Sequence, residues 1–194
     1  MLRALVLGFD AERRDILSQG LEAAGHAVIA PQASAMSLVR LVREYSPDLI
    51  IIDTDSPDRD TLEHIVMVSR DDPRPIVMFS GDADSAKIKD AVRAGVSAYI
   101  VNGLAADRVQ PILDVAVARF AEVQALRAEL ASARAKLEDR KLLDRAKGIL
   151  MQTRGLSEEE AYDTMRKLAM ESSQRLVEIA RQVVGMRSSL GRSK

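Results

Sequence analysis

Residues 49–57, LIIIDTDSP, decide the fold of the first half of the chain. The first four are an unbroken apolar run, which is typical of a strand buried on both faces of a parallel sheet. Carboxylates, hydroxyls and a proline follow at once, so the strand ends and a loop begins. Ligands of open α/β folds bind at the carboxyl ends of such strands. Asp53 is therefore a candidate functional residue.

Short apolar runs of the same kind lie on both sides of this strand. They cover residues 4–7, 27–30, 76–79 and 98–101. Segments with apolar residues at helical spacing separate them. This alternation predicts an α/β domain over residues 1–117, with a five-stranded parallel sheet covered by helices on both faces. The doubly wound order 2-1-3-4-5 is the common one at this length.

Polar residues follow four of the five predicted strands, namely Asp10, Asp53, Ser80 and Asn102. Residues 53–57 (DTDSP), 79–81 (FSG) and 93–99 (RAGVSAY) together resemble the receiver domain of bacterial response regulators. The resemblance implies that Asp53 accepts a phosphoryl group and that Ser80 is the switch hydroxyl. It also implies a divalent cation, held by an acidic pair after the first strand, and a lysine after the fifth.

The sequence departs from this pattern at the residues that would hold the cation and the phosphoryl group. Gly8 and Phe9 follow the first strand directly, so that Asp10 stands at the edge of the usual acidic pair. Asn102 replaces the lysine, and Gly103 replaces the proline after it. Fewer carboxylates weaken a magnesium site. We therefore predict a degenerate receiver that is phosphorylated poorly or never, with Mg²⁺ required only if Asp53 is phosphorylated. The alternative for Asp53 is a solvated carboxylate at a strand end.

From Ile112 to about Gln152 the sequence predicts one long helix, because it lacks proline and is rich in Ala, Leu, Glu, Arg and Lys. Apolar positions at alternating spacings of three and four predict a coiled-coil linker over residues 118–137. With one charged interruption, the predicted seam is Ala116, Arg119, Val123, Leu126, Leu130, Ala133 and Leu137. We predict that Val123, Leu126, Leu130 and Leu137 hold a homodimer. The alternative is a single helix packed on its own receiver.

Residues 138–186 predict a small module of three helices. Ser157 with Glu160 forms a capping-box pattern ahead of an apolar stripe. Residues 170–174 read as a break before a third helix. The polar tail, residues 187–194, is predicted to fray.

Three segments of this module, 140–151 (RKLLDRAKGILM), 154–162 (RGLSEEEAY) and 165–170 (MRKLAM), resemble the ANTAR family. The resemblance implies an RNA-binding transcription antiterminator whose dimer binds tandem hairpins in a leader mRNA and prevents terminator formation. With the receiver-like half, the chain resembles the antiterminators of nitrate and nitrite assimilation. That likeness implies control by a ligand-sensing partner of the periplasmic-binding-protein type.

Cations recur along the predicted long helix and the helix after it. The candidate RNA-binding residues are Arg140, Lys141, Arg145, Lys147, Gly148, Arg154, Arg166 and Lys167. Phosphate contacts require such cations. Gly148 leaves a bare patch for a phosphate, or it simply allows close helix packing. Tyr162 lies within an apolar stripe, which favours a core role over base stacking.

Composition limits the remaining classes of function. The 194 residues include no Cys and two His, so that thiolate metal sites are excluded and a cytoplasmic, reducing setting is expected. No apolar run approaches the roughly 18 residues of a membrane span. Residues 1–117 carry 12 basic and 18 acidic residues, and residues 118–194 carry 16 and 11, giving net charges of −6 and +5. No enzyme motif is visible. The alternative functions are a phosphorylation-controlled regulator that acts on DNA and a signalling adaptor that acts through protein contacts.

Overall fold

The computed structural model describes residues 1–8, 10–31, 35–102 and 105–190, apart from the side chains of Met36 and of residues 187–190. The chain forms two compact units, Met1–Gln124 and Ala125–Lys194.

The first unit is built on a five-stranded parallel sheet. Its strands are β1 (Arg3–Gly8), β2 (Ala27–Ile29), β3 (Leu49–Thr54), β4 (Ile76–Ser80) and β5 (Ala98–Val101). Their order is β2-β1-β3-β4-β5, as predicted. The strand β3 is two residues longer than the apolar run, so that Asp53 lies inside it and pairs in register with Gly8 of β1.

Four helices connect the strands: α1 (Ala11–Ala23), α2 (Leu38–Tyr45), α3 (Arg59–Asp71) and α4 (Ser85–Ala94). Aspartates cap three of them, because Asp10, Asp58 and Asp84 accept hydrogen bonds from backbone N–H groups of the first turn. Side chains alternate across the sheet, so one core forms on each face. One contains Leu5 and Ile52, and the other contains Val6 and Phe79.

The helix α5 (Ala106–Arg154) begins before the predicted start at Ile112, so that Pro111 lies inside it. A proline lacks the N–H that would bond to the carbonyl one turn before it. Val109, Leu113 and Ala116 are almost fully buried in the second core of the first unit. This burial on both sides of Pro111 holds the helix across the missing bond. Ala116 therefore belongs to the core and not to the predicted seam.

The second unit contains the end of α5 together with α6 (Glu158–Glu171) and α7 (Leu176–Leu190). Three helices share one small core, which includes Ala146, Leu150, Met165 and Ala180. The predicted capping box is present: Ser157 Oγ accepts from the Glu160 N–H, and Glu160 accepts from the Ser157 N–H. The prediction of a frayed tail is wrong for residues 187–190, which continue α7, and residues 191–194 lie outside the described residues.

None of the helices in the described ranges combines the length and the apolar character that a membrane crossing requires.

Candidate functional site

At the carboxyl edge of the sheet, Asp53 is held by an arginine. The Arg13 Nε donates to Oδ2 of Asp53 at 2.8 Å, and a terminal guanidinium nitrogen donates to Oδ1 at 2.7 Å. The Asp53 side chain is 5% exposed and that of Arg13 is 33% exposed. The hydrogen bond to Asp53 is the main cause that raises the pKa of Arg13. Such a bidentate, charge-assisted ion pair fixes the positions of both side chains.

Local structure explains how Arg13 reaches this position. Asp10 caps α1, and its Oδ1 accepts from the Glu12 N–H at 2.8 Å. Arg13 consequently lies in the first helical turn, beside the end of β3. Gly8 lies opposite Asp53, and a Cβ at Gly8 would lie 3.2 Å from the Cβ of Asp53. A side chain at this position would crowd Asp53.

These residues do not fit the magnesium ion that a receiver domain normally uses. Both carboxylate oxygens of Asp53 accept hydrogen bonds from Arg13, and the carboxylate of Asp10 serves as a helix cap. In the part of the chain that the structure describes, no three His, Asp or Glu side chains lie close enough together to hold a metal ion. Phe9 and Gly103, two of the departures seen in the sequence, lie outside the described residues.

The predicted switch residues also have internal partners. Ser80 is fully buried, and its hydroxyl donates to the carbonyl of Asp55 at 2.9 Å and accepts from the Asp82 N–H at 3.1 Å. Asn102 has an exposed side chain and a left-handed backbone, with φ of 48°. Its N–H donates to the carbonyl of Ser80 at 3.1 Å. Asn102 brings no positive charge to the edge.

A second charged cluster joins the loops after β3 and β4. The Lys87 Nζ donates to Oδ2 of Asp82 and to the hydroxyl of Ser56, at 2.7 Å in each case. The Tyr99 hydroxyl donates to the carbonyl of Asp82 at 3.1 Å. The hydrogen bond from Lys87 is the main cause that lowers the pKa of Asp82 to about 2. These hydrogen bonds connect α4 with both loops.

The candidate RNA-binding arginines of the second unit are exposed. Among the described residues, no ion pair involves Arg140, Arg145, Arg154 or Arg166. Lys141 and Lys167 form exposed pairs within their own helices, with Glu138 at 2.8 Å and Glu171 at 4.0 Å. Exposed pairs of this kind contribute little to stability and open easily. The structure therefore leaves these cations accessible to a polyanion.

Lys147 has different surroundings from the other predicted RNA contacts. Its Nζ lies 2.6 Å from Oε1 of Glu158 and 2.9 Å from Oδ1 of Asp144, and its side chain is 18% exposed. These two hydrogen bonds, with Glu158 first, raise the pKa of Lys147. Lys147 therefore joins α5 to the start of α6 through its ion pair with Glu158.

Gly148 and Tyr162 also differ from the simpler interpretations of the sequence. A Cβ at Gly148 would meet no atom within 4 Å, so close helix packing does not explain this glycine within the chain. Tyr162 is 42% exposed, and the predicted core role is wrong because its position lies at the edge of the apolar face of α6. Met165 is buried, whereas Met151 and Met170 are 39% and 73% exposed.

The apolar seam of α5 is exposed as well. The exposed fractions of Val123, Leu126, Leu130 and Leu137 lie between 44% and 59%. Four large apolar side chains at heptad spacing on one helix form a continuous apolar stripe.

Sequence reasoning missed Arg13 and Lys87. Both are basic residues in the first turn of a helix that directly follows a strand end. A helix N-terminus normally favours acidic residues. A cation there, beside an acidic strand end, was the signal that could have found them.

Comparison with known proteins follows this division of the chain. The receiver-domain model of response regulators matches residues 10–114, and the ANTAR-domain model matches residues 131–184. The chain belongs to the response regulators, with a receiver domain followed by an ANTAR domain.

Individual relatives agree with this assignment. The chain is 29% identical to the transcriptional regulatory protein PdtaR of Mycobacterium tuberculosis over 186 residues, 94% of this chain and 91% of that protein. It is 45% identical to the nitrate regulatory protein of Klebsiella oxytoca over 67 residues, 34% of this chain and 17% of that protein. The structure of a LuxR-family response regulator from an Aurantimonas species is similar with a TM-score of 0.53, at 27% identity over 61% of this chain and 87% of that one.

Proposed function

We propose that this response regulator is an RNA-binding transcription antiterminator. Its second unit binds tandem hairpins in a leader mRNA and thereby prevents the overlapping terminator from forming. The observation that carries this proposal is the set of exposed arginines, among them Arg140, Arg145 and Arg154, on the part of α5 that the ANTAR-domain model covers. Exposed arginines contact phosphates and the bases of RNA loops.

The receiver edge supports control by protein contact in place of phosphorylation. Arg13 already supplies the positive charge beside Asp53 that a metal ion would supply. Ser80 and Tyr99 are held by hydrogen bonds to the neighbouring loops. In this proposal, a ligand-sensing partner of the periplasmic-binding-protein type binds the chain and releases it when nitrate or nitrite arrives. The ligand acts only through its different affinities for the free and the bound sensor.

The exposed stripe of α5 supports a homodimer that presents two RNA-binding units. Leu126 and Leu130 are 59% and 51% exposed. Leaving such large apolar side chains in water is unfavourable, and a second copy of the helix would cover them. Two units acting on two hairpins would gain affinity through effective concentration.

Filter binding tests the RNA proposal directly. The wild-type chain should bind a leader RNA with paired hairpins and should bind duplex DNA of the same sequence much more weakly. A chain with Arg140→Ala and Arg145→Ala should lose about tenfold in affinity for each arginine, since a hydrogen bond to a charged group contributes about 1.5 kcal/mol. The dependence of binding on salt should become shallower, by about one ion per arginine.

A charge-matched control separates phosphate contacts from net charge. Arg40→Ala with Arg43→Ala removes two exposed arginines of α2 and should leave RNA binding unchanged. The proposal would be contradicted if the wild-type chain bound RNA and DNA with equal affinity, or if it bound neither of them.

Sedimentation of the full chain tests the dimer. Leu126→Glu with Leu130→Glu should yield a monomer whose RNA affinity falls at least tenfold through lost avidity. Ala128→Glu, on the outer face of the same helical turn, is the control and should remain dimeric. A monomeric wild-type chain at micromolar concentration, in the presence of RNA, would overturn this part of the proposal.

Incubation with acetyl phosphate and magnesium tests the control mechanism. No phosphoryl group should appear on Asp53. Prompt incorporation there would favour the phosphorylation-controlled alternative.

A further inference from the structure

Tyr162 is the one aromatic residue that follows Phe120 in the sequence. Its side chain is 42% exposed, and its hydroxyl has no hydrogen-bond partner among the residues that the structure describes. An aromatic ring in this position provides neither a core contact nor a polar anchor to the fold. The exposed part of the ring is therefore available to a ligand.

The ring lies in a shallow depression between α5 and α6. Lys147, Glu158, Glu159 and Tyr162 line it. The ion pair between Lys147 and Glu158, at 2.6 Å, closes one side of the depression and fixes the two helices there. Tyr162 thus contributes an aromatic surface to a depression whose helices are joined by an ion pair.

Three glutamates begin α6 beside Tyr162, and two of them have partners within the fold. Glu158 is paired with Lys147, and Glu160 is used in the capping box. Glu159 is exposed and has no ion pair within the described ranges. Its carboxylate can only accept hydrogen bonds.

An arginine stands one helical turn beyond the tyrosine. Arg166 follows Tyr162 at a spacing of four, which places both side chains on the same side of α6. Arg166 is exposed and has no ion pair in the described part of the chain. An exposed ring, a free acceptor and an unpaired guanidinium therefore lie side by side.

We propose that Tyr162 is a stacking platform for one unpaired base of an RNA loop, with Arg166 on its phosphate and Glu159 on its Watson–Crick edge. This rests on the proposed function, and it names the element of the surface that reads loop bases. Loop bases in RNA are recognised by stacking on aromatic rings and by hydrogen bonds to their exposed edges. Because the Glu159 carboxylate can only accept, the site favours guanine, the base whose Watson–Crick edge presents two adjacent N–H donors to one carboxylate.

The experiment uses the full chain and a pool of RNAs with two fixed stems and randomised loops. Hairpins that the wild-type chain retains serve as the probe for each variant. Tyr162→Ala should weaken binding about 5- to 150-fold, the range that loss of one stacked base predicts. Tyr162→Phe keeps the ring and should bind like the wild type.

Leu168→Ala is the matched control, because Leu168 is 44% exposed on the same helix but lies at the other edge of its apolar face. It should leave RNA binding unchanged. Thermal unfolding followed by circular dichroism checks that each variant is folded. Glu159→Gln should reduce the preference for guanine in the selected loop.

An abasic nucleotide in the loop distinguishes stacking from other roles. At one loop position, removal of the base should weaken wild-type binding as much as Tyr162→Ala does, and the two changes together should add nothing further. Tyr162→Ala that binds like the wild type would overturn the inference and leave the proposed function intact. So would a loss that accompanies dissociation of the dimer, which would make Tyr162 a protein contact. A pool from which the wild-type chain retains no hairpin would overturn the proposed function itself, and this inference with it.

Discussion

Arg13 in the receiver unit and Arg145 in the ANTAR unit are the same residue type in opposite surroundings. Arg13 donates from Nε and from one terminal nitrogen to Asp53, whose side chain is 5% exposed. Arg145 is exposed and has no ion pair in the described part of the chain. The glycines repeat the contrast, because a Cβ at Gly8 would crowd Asp53 whereas a Cβ at Gly148 would meet open space. A charge that is satisfied internally stabilises the fold, and a charge that is left open is available to a partner.

Arg13→Met gives the largest expected effect on stability. It should lower the free energy of unfolding of the first unit by about 2–4 kcal/mol, because removing one member of a buried pair leaves the other charge uncompensated. The lower end allows for the partial exposure of Arg13. Urea denaturation of the full chain measures the change.

Two companion variants isolate the pair. Arg14→Met changes the neighbouring arginine of α1 and should have a small effect. Adding Asp53→Asn to Arg13→Met should restore much of the lost stability, since no uncompensated charge then remains. If Arg13→Met is as stable as the wild type, the ion pair between Arg13 and Asp53 does not stabilise the first unit.

Gly8→Ala should lower the free energy of unfolding by about 1–2 kcal/mol through overpacking. The added Cβ would lie 3.2 Å from the Cβ of Asp53, which β3 and Arg13 hold in place. Gly81→Ala is the control, because its nearest contact would be an ordinary 3.5 Å. Thermal unfolding compares the two variants. Equal stability of both would show that Asp53 has room to move.

Gly148→Ala should have the opposite sign. In a helix interior, alanine is favoured over glycine by about 0.5–1 kcal/mol, and nothing near Gly148 opposes the added methyl group. RNA affinity should nevertheless fall if a phosphate approaches the bare backbone there. Gly185→Ala in α7, also open, should give the same stabilisation and leave RNA binding unchanged. If Gly148→Ala binds RNA as tightly as the wild type, RNA contacts the side chains of this helix and not the backbone at Gly148.

The fold of both units could be predicted from the sequence because it depends on local periodicity. The buried run of β3 and the capping box of α6 are read from adjacent residues. The ion pair between Arg13 and Asp53 could not be predicted in this way, since the two residues are 40 positions apart and meet only through the parallel register of β1 and β3. The exposure of Tyr162 was missed for a related reason. Helical spacing places it near an apolar stripe, but only the packed helices show where that stripe ends.

The smallest expected effect concerns the second closed cluster, in which Lys87 holds Asp82. The pKa of Asp82 is lowered from 3.8 to about 2, chiefly by the hydrogen bond from Lys87. A carboxyl with a lowered pKa in the folded state stabilises the fold at neutral pH, and this contribution is lost as the pH falls from about 4 towards 2. In Lys87→Met the pKa should return towards 3.8, which carboxyl NMR titration of the full chain measures. Lys89→Met removes a lysine of the same helix that forms no ion pair among the described residues, and should leave the pKa near 2. The Asp84 N–H and the Ser56 hydroxyl also donate to the Asp82 carboxylate, at 2.9 Å and 2.8 Å. If both variants titrate alike, these two neutral donors keep the pKa of Asp82 low without Lys87.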